Sequence, residues 1–271
     1  MELKLLCVMA HPDDECLGTG GILAHYGAEG VETYLVTATR GEHGWFGDEK
    51  DYPGPGALGK IREAELRAAA NVLGLREVNF LDYEDGLLDQ ADPIEATSRI
   101  AAHIRRIKPQ VVVTFAPDGS YGHPDHIAIC QLTQAAIVAA ADSNQPGPAS
   151  EPHRVSKLYY MADTRAVFEI YLSVFGDVMM PVDGAERRMN PWPDWAVTTR
   201  VDTVAHWRRV WQAVLCHRSQ LPAYSRFESV PEESHHILWG QRTFYRAFSL
   251  VNGGRKMEKD LFEGLRQPNH F

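Results

Sequence analysis

The four cysteines of this chain, Cys7, Cys16, Cys130 and Cys216, lie far apart in apolar segments and form no C-x-x-C pair. That argues against a disulfide scaffold and for a cytosolic, cytoplasmic protein with reduced thiols. No window approaches 18 uninterrupted apolar residues, so no ordinary membrane-spanning helix is expected. The opening MELKLLCVMA has neither a cationic n-region nor a small-residue cleavage site, which predicts no signal peptide. Basic stripes are missing too: 27 Lys and Arg face 36 Asp and Glu, a formal net charge of −9. Nucleic acid is therefore not expected as the main partner. What is present is an ordinary globular mix over 271 residues, 44% hydrophobic and 23% charged, long enough to bury a substantial core.

Over the first 140 residues, strand-like and helix-like patterns alternate. Leu3–Met9 is a short apolar run suited to a buried parallel strand. A helix is predicted from Asp14 to about Glu29, where Gly18, Gly20 and Gly21 weaken propensity but allow close packing on the sheet. Val31–Ala38 follows as a β-branched strand. Arg40–Gly59 carries six glycines and two prolines, a long loop of the kind that is usually functional or mobile. Lys60–Leu73 predicts a helix stopped by Gly74, and Glu77–Leu81 a third strand. Asp92-Pro93-Ile94-Glu95 is a strong helix start, and the helix runs to about Lys108. Gln110–Phe115 is a fourth strand, followed by a helix from about Pro124 to Ala141. The alternation implies an α/β, Rossmann-like, mostly parallel sheet with helices on both faces. Asp142–Pro152 has the composition of a surface connection. Beyond it, Val155–Met161 and Ala196–Val201 predict strands and Thr203–Arg218 an amphipathic helix, whereas 163–195 carries no clear pattern. A single domain over 1–271 is expected, with a motif-bearing core at about 3–141 and an irregular C-terminal extension at about 153–271.

Two polar clusters follow the first and fourth strands: His11-Pro12-Asp13-Asp14-Glu15 and Tyr121-Gly122-His123-Pro124-Asp125-His126. In the common strand order 3-2-1-4-5, strands 1 and 4 are neighbours, and their carboxyl ends flank the crevice where such sheets bind ligands. Clusters about 110 residues apart would thus meet there. Imidazole and carboxylate suit a divalent ion. A catalytic zinc takes three protein ligands and keeps a place for water, so Zn2+ leads, one per chain, with Fe2+, Mn2+ or Co2+ as substitutes. A His and an Asp three residues apart can bite one ion, with the third ligand coming from the other loop.

With the helix string R-x-x-E…LG (Arg62, Glu65, Leu73, Gly74), these motifs resemble the LmbE/PIG-L-like zinc N-deacetylases over roughly residues 3–140. His217-Arg218-Ser219-Gln220 is similar to that family's H-x-S-Q. The resemblance implies removal of an N-acetyl group from an N-acetylglucosamine-type amino sugar; some members act as amidases on thiol-sugar conjugates, and many are homo-oligomers. It makes His11, Asp14 and His126 the metal ligands and Asp13 the general base. His123 would face the oxyanion and the leaving amine, kept charged and aimed by Asp125, while Tyr121 supports the same oxyanion. Arg62 and Asp85 match substrate-contact positions. Two of these keep plainer readings: Arg62 as an exposed helix residue paired with Glu63 or Glu65, and Asp85-Gly86 as a turn. Glu15 reads as a carboxylate complementing a helix N-terminus. Trp45 and Phe46 read as a lid or as aromatics that pack their own loop down, and His217 is open. A metal-dependent phosphoesterase on the same crevice and a non-enzymatic sugar binder are the rival functions. The first calls for two metals and further ligands, and the second needs no base at Asp13.

Overall fold

The computed structural model describes residues 2–144 and 151–266. Part of the Asp142–Pro152 connection lies outside those residues. Strands β1 (Lys4–Met9), β2 (Glu32–Thr39), β3 (Glu77–Tyr83) and β4 (Val111–Thr114) are parallel, and β1 pairs with both β2 and β4. The sheet has seven strands in the order β3-β2-β1-β4-β5-β9-β8. Leu5 to Met9 and Val111 to Val113 are wholly buried, because both faces of the sheet are covered and no position is left to face water. The adjacency of β1 and β4 puts the two polar clusters at the same edge of the sheet, as the alternating pattern predicts.

The predicted helix at 14–29 divides into α1 (Asp14–Leu17) and α2 (Gly20–Ala28). At Gly18 a Cβ would lie 2.5 Å from the sulfur of Met161, so a side chain there would push that flexible thioether aside. A Cβ at Gly20 would meet Val210, and one at Gly21 would meet Thr203 and the carbonyl of Trp239. These two glycines admit the C-terminal third rather than the sheet. Helix α3 (Pro55–Leu73) starts five residues before the predicted Lys60, because Pro55 presets the first turn. Helix α4 (Pro93–Ile107) is capped as expected: Asp92 Oδ1 accepts the N–H groups of Ile94 at 2.8 Å and Glu95 at 3.3 Å. A single turn, α5 (Gly119–Gly122), precedes α6 (Pro124–Ala141).

The C-terminal third completes the same sheet with β5 (Lys157–Met161), parallel to β4. The patternless 163–195 region holds α7 (Arg165–Phe175) and a two-stranded hairpin, β6 (Met179–Val182) with β7 (Ala185–Arg188). Strand β8 (Thr199–Asp202) pairs antiparallel with β9 (Gln241–Ser249), which pairs antiparallel with β5. The helix expected over 203–218 is shorter, α8 (Trp207–Val214), after a tight turn at Val204–His206. Short α9 (Leu221–Tyr224) and α10 (Glu232–Gly240) follow. Among the described residues, no helix is long and apolar enough to cross a membrane.

Residues 249–263 are tied to the sheet by backbone bonds, by Lys157 and Tyr159 on the carbonyls of Glu263 and Leu261, and most densely by one carboxylate. Buried Glu258 accepts from Lys157 Nζ at 2.6 Å, Tyr159 OH at 2.7 Å, Thr199 Oγ1 at 3.0 Å and Asn252 Nδ2 at 2.6 Å, with Arg246 Nη1 at 2.7 Å. Burial alone would raise this carboxyl, but Lys157, Asn252 and Tyr159 outweigh it and hold it down to about 2. Glu258→Gln should therefore cost roughly 3–5 kcal/mol of unfolding free energy at neutral pH, since it leaves Lys157 buried without its counter-charge. A carboxyl depressed in the folded state stabilises above its unfolded pKa of about 4.3 and loses that effect as pH falls toward the folded value. The gap between wild type and variant in urea melts is thus expected to be full at pH 6 and to close below pH 4. A gap independent of pH would show that the charge is not what stabilises.

Candidate active site

The chain leaves β1 through Ala10, His11 and Pro12 and turns sharply at Asp13, whose φ of 99° lies in the left-handed region. A non-glycine residue there is strained and persists only where its surroundings hold it. The neighbouring side chains do so. Glu15 Oε2 accepts the Asp13 N–H at 2.8 Å, and Glu15 Oε1 meets His217 Nε2 at 2.7 Å and Cys16 Sγ at 2.8 Å. Asp14 Oδ2 closes the other side, accepting the N–H groups of His11 at 2.8 Å and Ala10 at 3.2 Å. Glu15 and His217 are both fully buried. Burial raises Glu15 and lowers His217, but their mutual attraction reverses both, so the pair is ionic.

Three donor groups converge beside this turn. His126 Nε2 lies 3.2 Å from His11 Nδ1, His11 Nδ1 is 3.7 Å from Asp14 Oδ2, and His126 Nε2 is 3.6 Å from Asp14 Oδ1. Tetrahedral ligands at about 2.0–2.2 Å from one ion stand roughly 3.3–3.6 Å apart, a range these spacings approach, with the two imidazoles facing different oxygens of Asp14. The groups that put one donor atom per residue within 4.8 Å of each other here are His11 with His123 and His126, and His11 with Asp85 and Asp125. The far nitrogens are engaged. His126 Nδ1 faces the carbonyl of Gly119 at 3.2 Å, and His11 Nε2 lies 3.1 Å from both Asp85 and Asp125. With a proton kept on each of these far nitrogens, each ring would turn its other nitrogen to the common point, where an ion would have to displace the second proton that Asp125 and Asp85 favour on His11. Stacking on Phe115 at 3.8 Å fixes the His126 plane. Burial, then His11 and His123, hold His126 well below the ordinary imidazole range, so it is neutral. Burial also pulls His11 down, but Asp125 and Asp85 outweigh it and push it up to about 10, a basicity that strengthens a nitrogen ligand. His123 also comes within ligand reach of His11 and His126.

Three of the expected roles change. Asp125 does not aim its carboxylate at His123. Oδ2 meets His11 and the N–H of Gly86 at 2.7 Å, and Oδ1 accepts the N–H of Leu88 at 3.0 Å. It is the backbone N–H of Asp125 that meets His123 Nδ1, at 3.1 Å. His123 is consequently not kept charged: burial and then His11 press it down to about 4. Its Nδ1 accepts a hydrogen bond, so the ring proton is on Nε2. Arg62 is not the exposed helix residue of the plainer reading, and it lines the cavity. Buried on α3, it donates from Nη1 to the carbonyl of Gly41 at 2.7 Å, and from Nη2 to the Pro12 carbonyl at 2.6 Å and Asp13 Oδ2 at 2.9 Å. Asp85 holds His11 through Oδ1 and accepts the His43 N–H through Oδ2 at 3.0 Å. Tyr121 stands edge-on to His123 and His126, its hydroxyl kept protonated by burial and by Asp14.

Sequence reasoning missed Tyr224, which has no local motif. Its hydroxyl donates to Asp13 Oδ2 at 2.7 Å, the same oxygen that Arg62 binds. Among the described residues, no hydrogen bond falls on Asp13 Oδ1. Around Tyr224 the 217–220 string grips the N-terminal half. Besides His217 on Glu15, Ser219 gives its N–H and hydroxyl to Glu65 at 2.8 and 2.7 Å, and Gln220 donates to the Gly44 carbonyl at 2.9 Å. The two aromatics of the glycine-rich loop differ in use. Trp45 packs on Tyr52 within its own loop, whereas Phe46 lines a cavity of about 520 Å³ that contains His11, Asp13, Asp14, Tyr121, His123 and His126.

Two imidazoles and two carboxylates gathered beside one cavity are the donor types that metal-assisted hydrolysis uses. The sequence model of the family described as PIG-L, GlcNAc-PI de-N-acetylase, matches residues 6–137. The 1D-myo-inositol 2-acetamido-2-deoxy-alpha-D-glucopyranoside deacetylase of Thermobifida fusca is 35% identical, over 92% of this chain and 93% of its own. The chain belongs to this family of N-deacetylases. Among solved structures, the conserved protein TT1542 from Thermus thermophilus is similar, with a TM-score of 0.66 and 27% identity over 93% of this chain and 97% of that one. A 4-carboxy-2-hydroxymuconate hydratase from Pseudomonas putida shares the fold at a TM-score of 0.69 and 20% identity, over 94% and 99%. The architecture thus carries more than one reaction, and the site rather than the fold argues the chemistry.

Tyr224→Phe removes one of the two donors on Asp13 without changing shape. Hydrolytic kcat is expected to fall about 10-fold, with KM and bound metal near wild type, because the loss lies in aiming the base. An unchanged kcat would remove Tyr224 from the site's machinery.

Proposed function

We propose that this enzyme hydrolyses the N-acetyl amide of an N-acetylglucosamine-type amino sugar, releasing acetate and the free amine, with zinc held by His11, Asp14 and His126. The observation that carries the reading is the spacing of those three donors beside Asp13, whose Oδ2 is fixed by Arg62 and Tyr224. The named substrate of the Thermobifida fusca relative, an acetamido sugar joined to inositol, supports the substrate class. Two imidazole nitrogens in the donor set favour zinc over the metals that take oxygen alone, with Fe2+, Mn2+ or Co2+ as substitutes. When bound, the ion acidifies water and polarises the amide carbonyl.

The chain's own groups account for the rest. Asp13 takes a proton from the attacking water as its oxygen adds to the carbonyl carbon. His123 Nε2–H and the Tyr121 hydroxyl are the donors at hand for the oxygen that becomes negative. Collapse breaks the C–N bond, and Asp13 passes its proton to the departing nitrogen. Arg62 and Tyr224 serve the base, and Asp85, Asp125 and Glu15 position ligands and turn. A cytoplasmic setting belongs to this reading, supported by four free thiols.

Two variants test the assignment. Asp13→Ala should lower acetate release from an N-acetylglucosaminide by roughly 100-fold or more while metal analysis still finds about one equivalent. His126→Ala should lose the metal itself. Full turnover in the first variant, or tight metal retention in the second, would each overturn the corresponding role.

A further inference from the structure

Beyond the catalytic groups, the wall of the cavity comes from α7, the β6–β7 hairpin and the segment after it: Tyr171, Phe175, Met179, Met180, Met189 and Trp192. Phe46 adds an aromatic from the glycine-rich loop. Phe46 and Met179 are 55% and 46% exposed, so the site presents apolar surface that the folded chain leaves uncovered. No lysine lines the cavity, and its single arginine, Arg62, is already bonded to Gly41, Pro12 and Asp13. No other lysine or arginine side chain is there to receive a phosphate or carboxylate, and the polar remainder of the wall includes neutral Ser120, Asn190 and Gln220.

The acidic residues of the outer wall do not ask for a cation either. Asp118 accepts from Trp192 Nε1 at 3.1 Å and the Ser120 N–H at 3.2 Å, Asp163 faces Arg242 at 3.4 Å, and Asp177 pairs with Arg188. These carboxylates repel anions while their own partners are met. Four thioethers, counting Met161, make a wall that adapts to shape more than it selects one outline.

Resting on the deacetylase reading above, we infer that the group attached to the amino sugar is uncharged and apolar, of at least the size of an aromatic ring. It covers the Phe46 and Met179 side of the cavity while the acetamido group lies at the metal ligands. The substrate class is thus a neutral amino sugar with an apolar aglycone, and sugar phosphates are excluded.

The test uses the metal-loaded enzyme with the methyl glycoside, the benzyl glycoside and the 1-phosphate of N-acetylglucosamine. Acetate release should give a kcat/KM for the benzyl compound at least ~10-fold above the methyl one, with the phosphate lowest. The double variant Phe46→Ser with Met179→Ser, both exposed positions, should bring the benzyl-to-methyl ratio down toward about one. A ratio near one in wild type, or preference for the phosphate, overturns the inference. Equilibrium binding of the methyl and benzyl compounds to Asp13→Ala separates the two claims. A ~10-fold preference for benzyl in Kd supports the apolar aglycone even if no acetate is released, an outcome that would sink the deacetylase reading instead. Equal Kd values overturn the aglycone assignment whatever the turnover.

Discussion

The buried pair between Glu15 and His217 is the contact on which the catalytic turn depends. A chain leaving a parallel strand for a helix would ordinarily pass Asp13 in a relaxed conformation, with Asp13 and Asp14 competing for the same space. Accepting the Asp13 N–H, Glu15 holds that residue at a φ of 99° and sends the two carboxylates to different tasks. A carboxylate with no exposure is costly unless it is met by charge and hydrogen bonds. His217 supplies the charge, and Asp13 N–H and Cys16 Sγ supply the rest. Removing His217 would strand the carboxylate and release the turn together.

The catalytic unit is consequently larger than the stretch that carries its motifs. The family match ends at residue 137, yet His217, Ser219, Gln220 and Tyr224 all bond to residues before position 66. Gly20 and Gly21 belong to the same design, since any side chain there would keep α8 and the segment after α10 from approaching. Arg62 and Tyr224 come from opposite ends of the chain and meet on one oxygen of the base. Two buried donors thus fix the orientation of Asp13, as the general-base role proposed for it requires.

How much of this was legible in the sequence follows the range of the interactions. The parallel order and the meeting of His11 with His126 were readable, because apolar strands and short polar turns are local patterns and the topology does the joining. The cap at Asp92 was readable for the same reason. The roles of Asp125 and Arg62 were not. Spacing says that Asp125 lies near His123, but the carboxylate turns to the N–H groups of Gly86 and Leu88, which arrive from a different loop. Arg62 looks like any arginine on an amphipathic helix until the Gly41 and Pro12 carbonyls close over it. Tyr224 left no trace because its partner is distant in the chain, whereas the 179–188 hairpin was signalled by Asp183-Gly184, both at positive φ in its two-residue turn, between strands too short and too exposed to show an alternating pattern.

The protonation of His123 decides how the proton travels. A charged imidazole would sit with its ring 4.7 Å from those of both His11 and His126, in a buried site where a divalent cation is also to be held. Burial and the like charge of His11 oppose that state more than Asp125 and Asp85 favour it. A neutral ring that accepts at Nδ1 still donates at Nε2, which is what an oxyanion requires. It has no second proton to give to a leaving amine. In the proposed reaction the departing nitrogen is then protonated by Asp13, the group assigned to take the proton from water, whose Oδ2 is fixed by Arg62 and Tyr224.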